Sequence, residues 1–162
     1  MNTPDRFDPG QDPEKDAFPF GASIPSDLPK VPGMELESEG GFKAADVPWC
    51  LIKSVLESLD EGQGNSFAIL SSAHNNFVQV LCGLNGYHLE WRITGDDLDE
   101  YIHYRGTNPR GLSFSQSLEK WDGCNDGQQR DLLSLGSVMD AFRAFFERKA
   151  PPTSLRWRVL DL

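Results

Sequence analysis

Residues Phe77–Arg105 set two turn signals between stretches of strict apolar–polar alternation, which leaves few folds open to the chain. Asn85-Gly86 tolerates positive φ at both positions, as a two-residue hairpin turn requires. A turn there sets Cys82 opposite Leu89, Val80 opposite Trp91 and Val78 opposite Ile93. A second reversal at Gly95–Asp99 sets Ile93 against Ile102 and Trp91 against Tyr104. Both turns gather apolar side chains on one face, because strand side chains alternate with period two. The other face collects Gln79, His88, Glu90, Arg92, His103 and Arg105. The segment therefore predicts a three-stranded antiparallel meander with one dry face.

Helical spacing flanks it. Asp46 offers an N-cap and Pro48 a first-turn residue. Leu51, Ile52, Val55, Leu56 and Leu59 then form one apolar stripe, ended by Gly62 and Gly64. Ser66–Ser72 reads as a short strand with Phe67, Ile69 and Ser71 on one side, returning through Ala73–Asn76 into the meander. Ser134 caps a second helix whose stripe is Leu135, Val138, Met139, Phe142, Phe145 and Phe146. Pro151-Pro152 ends it, and Ser154–Asp161 alternates again as a sheet-edge strand. The expected class is α+β: an antiparallel sheet of about five strands with two helices packed on one face. Between Gly106 and Gly127 the pattern fails, and a loop that long in a compact domain is uncommon unless it is functional or partly mobile. Within it, Ser115–Trp121 is read as a short helix.

Composition bounds the rest. A chain of 162 residues suits one domain with a real core. Seven of the eleven prolines lie between Pro4 and Pro32, and residues 1–46 hold ten acidic against four basic residues. Residues 1–45 are accordingly expected to be a disordered acidic tail, with Phe18-Pro19-Phe20 its one plausible anchor, and 46–162 the domain. The formal net charge of −10 disfavours nucleic acid and anionic membranes as partners. It suits a soluble protein or one with a basic partner. Cys50, Cys82 and Cys124 are odd in number and widely spaced, neither a disulfide framework nor a zinc motif. Met1–Asp5 has no basic head or apolar run of the signal-peptide kind, so the cytoplasm is the expected compartment.

No motif announces chemistry. There is no GxSxG elbow, no GxGxxG and no GxxxxGK, and no cofactor is expected. His88, Glu90 and His103 would suit a metal or acid–base role by residue type. Arg92 and Arg105 stand among them, however, and would repel a divalent ion and pair with Glu90. Cross-strand ion pairs on a solvated face are the simpler account. The acidic turn Asp96-Asp97-Leu98-Asp99-Glu100 lacks the spacing of a calcium loop. It serves as a soluble hairpin tip, or as a mimic of phosphate charge toward a basic protein. Trp121, in the irregular loop, is the tryptophan best placed for a contact role.

Three segments together resemble a known family: the run Asn76–Arg92, the helix Leu133–Phe142 and the terminal Leu155–Val159. They resemble small immunity-type proteins of bacterial polymorphic toxin systems, particularly the deaminase-immunity family, over about residues 66–160. The resemblance implies a non-enzymatic protein that binds a cognate toxin and blocks its active site. It points to Glu90, Arg92, Phe142 and Trp157, of which the last two read as packing residues. The sequence reading is thus a protein-binding module, an immunity-like inhibitor of a basic toxin domain. Its expected contacts are Glu90, Arg92, Asp96, Asp97, Asp99, Glu100, His103 and Trp121. The alternative is a domain that self-associates or scaffolds.

Overall fold

A computed structural model describes residues 32–83, 85–95, 100–109 and 132–160. Among the described residues, seven strands form one antiparallel sheet: β1 (Glu35–Ser38), β2 (Phe42–Ala45), β3 (Phe67–Ser71), β4 (Phe77–Gly83), β5 (Gly86–Thr94), β6 (Tyr101–Thr107) and β7 (Arg156–Val159). Their spatial order is β2-β1-β3-β4-β5-β6-β7. Helix α1 (Trp49–Glu57) links β2 to β3, and α2 (Leu135–Phe146) precedes β7. The α+β class stands as expected, and β7 takes the predicted edge beside β6.

The strand count exceeds the expected five because β1 and β2 lie upstream of Asp46, in residues taken from composition as tail. Each has four residues, and in β1 only Leu36 and Ser38 are buried. A strand that short, with Glu35 and Glu37 outward, offers almost no periodic signal. Asp46 does not cap α1, whose N-cap is Pro48. It has φ 52°, its N–H donates to Met34 O at 2.7 Å, and its Oδ1 accepts from Gly33 N at 2.9 Å. It closes the base of the β1–β2 hairpin instead. Residues 1–31, and the Ser115–Trp121 helix expected in the long loop, lie outside the described residues.

The β5–β6 register is the one expected, with Trp91 opposite Tyr104 and Ile93 opposite Ile102. The β4–β5 register is shifted by two residues, so that Val78 meets Trp91, Val80 meets Leu89 and Gly83 meets Gly86. Gly86 therefore enters the strand rather than the turn. A tertiary contact accounts for this: Tyr87 and Leu133 exchange both backbone hydrogen bonds, at 3.0 and 2.8 Å, drawing this end of β5 against buried Leu133. A shift of two preserves which face each residue occupies.

Both helices contact each other and cover the dry face, with α2 packing on β3, β4 and β5. Leu51, Ile52, Val55 and Leu56 of α1 and Val138, Ala141 and Phe142 of α2 are fully buried there against Leu36, Ala68, Leu70, Val78 and Leu89. Trp91 packs edge-on against Phe145 at 5.2 Å and Trp157 at 5.7 Å between ring centroids. The stretch expected to turn irregular at Gly106 continues β6 to Thr107.

Gly86 has φ 153°, and a Cβ there would lie 3.1 Å from Leu133 O and 3.2 Å from Leu132 Cβ. Gly86→Ala is expected to cost about 1–3 kcal/mol, read as a lower urea midpoint. Gly83→Ala, whose Cβ would make ordinary contact at 3.6 Å, should be nearly neutral.

Candidate functional site

Neither helix packs on the opposite face of the sheet, and cross-strand pairing fixes which described residues stand on it. One row runs Glu37, Ile69, Gln79, Glu90, Arg105, Arg158 from β1 to β7. Its neighbour runs Glu35, Ser71, Phe77, Arg92, His103. Phe67, Leu81 and His88 make a third across β3, β4 and β5. Phe67 and Ile69 therefore face away from the helices, and Ala68 and Leu70 fill the core.

Glu90 is the centre of this face, its side chain 15% exposed. Its Oε2 accepts from Gln79 Nε2 at 2.6 Å and its Oε1 from an Arg105 guanidinium N–H at 2.5 Å. His103 Nε2 lies 3.0 Å from Oε2, close enough for charge attraction when protonated, but its N–H is not aligned to donate. Burial pushes the Glu90 carboxyl up, but hydrogen bonds from Arg105 and Gln79, and the charges of Arg105 and His103, outweigh it. The carboxyl is held below its ordinary value of 4.5. Both oxygens are engaged, so Glu90 holds the face together and is poorly placed to take a proton from a substrate.

Arg92 completes the cluster. Its guanidinium lies 3.8 Å from the Tyr101 ring centroid and 5.9 Å from that of Phe77. Phe77 in turn meets His103 edge-on at 5.6 Å. Arg92 Nε is buried without a hydrogen-bond partner among the described residues. Two shallow depressions flank these groups. One, of about 470 Å³, is lined by Phe67, Ile69, Leu81, His88, Glu90 and Arg105. The other, of about 620 Å³, is lined by Glu35, Ser71, Phe77 and Arg92 among others. Leu81 is 52% and Tyr101 44% exposed.

Of the residues singled out from sequence, Glu90, Arg92 and His103 thus share one cluster. Glu100 is exposed at the β5–β6 connection, where its carbonyl accepts from Gly95 N at 2.7 Å. Asp96, Asp97, Asp99 and Trp121 lie outside the described residues. Sequence reasoning did not assign Phe67, Ile69, Phe77 and Leu81 to this face. The signal was there in the alternation of β3, but which parity is dry depends on its pairing with β4. Among the described residues, no group of three His, Cys, Asp or Glu side chains is gathered to hold a metal ion, and no helix is long and apolar enough to cross a membrane.

Comparisons with protein-family models, curated proteins and solved structures find no match to this chain.

Glu90→Gln should lower stability by about 1–3 kcal/mol at pH 7, by weakening the acceptor of Arg105. The folded carboxyl binds its proton more weakly than the unfolded one. Its contribution is therefore full above the ordinary value of 4.5 and is lost as pH falls through the lower folded value. Urea midpoints of parent and variant should differ at pH 7 and converge toward pH 3. An equal gap at both values would refute the role given to the charge.

Proposed function

We propose that this protein is a non-enzymatic binding module that docks a protein partner on the sheet face opposite α1 and α2. The observation that supports it most is the content of that face. Half-buried Phe67, Ile69 and Phe77, exposed Leu81 and Tyr101, and Arg92 and Arg105 surround two depressions, where a merely solvated face would hold small polar residues. Aromatic residues and arginine are the types enriched at the centres of protein interfaces. Glu90 and His103 hold Arg105 and Phe77 in place before any partner arrives, which lowers the ordering cost of binding.

The resemblance to immunity proteins gives this binding a purpose: inhibition of a cognate toxin domain in the cytoplasm. In that reading the acidic tip, Asp96, Asp97, Asp99 and Glu100, and Trp121 are peripheral contacts, the tip steering a basic region of the toxin. No cofactor is required.

Affinity capture with the full chain tests the docking face. Leu81→Asp with Tyr101→Ala, both at exposed positions, should reduce retention of the partner at least about tenfold. Lys53→Glu, on the exposed side of α1, should leave it unchanged. Equal retention by all three proteins would remove the sheet face from the interface. Reversing Asp97 and Asp99 should slow association at low salt only, and an unchanged on-rate would remove the tip.

A second reading, self-association, draws on a different surface. On the helix side, Ile93, Ile102 and Val159 are 39%, 46% and 54% exposed near the β7 edge. Light scattering across a range of protein concentration should give a constant monomer mass under the inhibitor reading. A rising mass would favour assembly through this edge.

A further inference from the structure

We infer that Phe18-Pro19-Phe20 of this chain occupies the Phe67–Leu81 depression in cis, so that the open face carries its own apolar cover. The occupancy stands by itself, and the competition with a partner that follows from it rests on the docking reading above. Leu81 is 52% exposed at this depression, and Phe67 and Ile69 of β3 are only half-buried beside it. The polar groups there are already paired, since Arg105 and Gln79 are both bound to Glu90. What the depression lacks is apolar contact rather than a counter-ion.

The root of this arm is fixed at the edge of the open face. Pro32 O accepts from Arg148 Nη2 at 2.9 Å, and the Gly33 N–H donates to Asp46 Oδ1 at 2.9 Å. Gly33 lines the neighbouring depression with Ser71, Phe77 and Arg92. Two residues on, Glu35 is paired with Ser71, and Phe67 stands at the far end of β3 from Ser71. The span from Gly33 to Phe67 is therefore roughly 20 Å along the strands and roughly 5–10 Å across them. Phe20 lies thirteen residues before Gly33. A tether of that length has a root-mean-square reach of about 20 Å and a limit of about 45 Å. Reach thus matches span, the condition under which a tether gives its highest effective concentration.

The motif suits the depression. Within residues 1–31 it is the one place where two aromatic side chains stand two residues apart. Pro19 disfavours helical backbone at Phe18, and an extended chain sends side chains i and i+2 to the same side. Phe67 and Ile69 have that same spacing on β3, so both rings can meet the apolar groups of the depression together. Residues 16–23 hold one charged group, Asp16, and charge contributes little to the fit.

The test uses the isotopically labelled full chain and the peptide DAFPFGAS, with DASPSGAS as control, followed by amide NMR. Phe18→Ser with Phe20→Ser should move the amides of Phe67–Ser71, Leu81 and Cys82 relative to the parent. Added DAFPFGAS should bind that arm variant about tenfold more tightly than the parent, whose own arm competes at an effective concentration in the millimolar range. DASPSGAS should bind neither. Leu81→Asp added to the arm variant should lose the peptide, with unchanged thermal unfolding showing that the protein is folded. Unmoved amides in the arm variant, or equal peptide affinity for variant and parent, would overturn the inference. So would movement confined to Ile93, Phe145 and Arg148 on the helix side. Amide positions in the parent that change with protein concentration would put the arm on a second copy and equally reject occupancy in cis. Affinity capture separates the docking reading, since the arm variant should retain the partner about tenfold more tightly. Unchanged retention alongside the expected amide movements rejects docking on this depression and leaves the arm in place. Unmoved amides, with retention lost in Leu81→Asp with Tyr101→Ala, reject only the arm.

Discussion

The two-residue alternation of β4, β5 and β6 is the constraint from which the other features follow. These three strands pair in sequence, and their paired residues share a face. Val78, Val80, Leu89 and Trp91 are thereby committed to one side, and burying them requires a second layer. The apolar stripes of α1 and α2 supply that layer. Trp91 joins its parts, with Phe145 of α2 on one side and Trp157 of β7 on the other. Trp157 itself is tied back through its indole N–H, which donates to Pro152 O at 3.0 Å. An edge strand of four residues could not hold its register by ladder bonds alone.

The same alternation creates the open face as a necessary counterpart. Placing Leu89 and Trp91 inward obliges His88, Glu90 and Arg92 to point outward. What they meet there is set by the neighbouring strands. Glu90 finds Gln79 on one side and Arg105 on the other, so a carboxylate that burial would penalise is satisfied at both oxygens. This network is more than a row of surface ion pairs. It positions Arg105 beside the Phe67–Leu81 depression, and through His103 it supports Phe77. Stability of the sheet and the arrangement of this face therefore depend on the same few groups.

The chain's electrostatics act on two length scales. The acidic balance of the whole molecule sets its long-range field, while the field of individual side chains on the sheet fades within a Debye length. The two can carry opposite signs without conflict.

Much of the scaffold was legible in the sequence, because helix stripes and strand alternation are local patterns. The sequence by itself determined the two helices, Ser134 as the cap of α2, the β5–β6 register and the pairing of Glu90 with Arg105. It also determined that Glu90, Arg92 and His103 share a face. Only tertiary structure decided the β4–β5 register, where Leu133 grips Tyr87 from outside the hairpin and draws Gly86 into the strand. Only tertiary structure brought Glu35–Ser38 and Phe42–Ala45 into the sheet, since β1 is stabilised by pairing with β3 more than thirty residues away in sequence. That pairing, with the β3–β4 register, turned Phe67 and Ile69 outward. A local pattern states that a strand has two faces. Which face is dry is settled by the partner across the ladder, and that partner is chosen by contacts between residues distant in the chain.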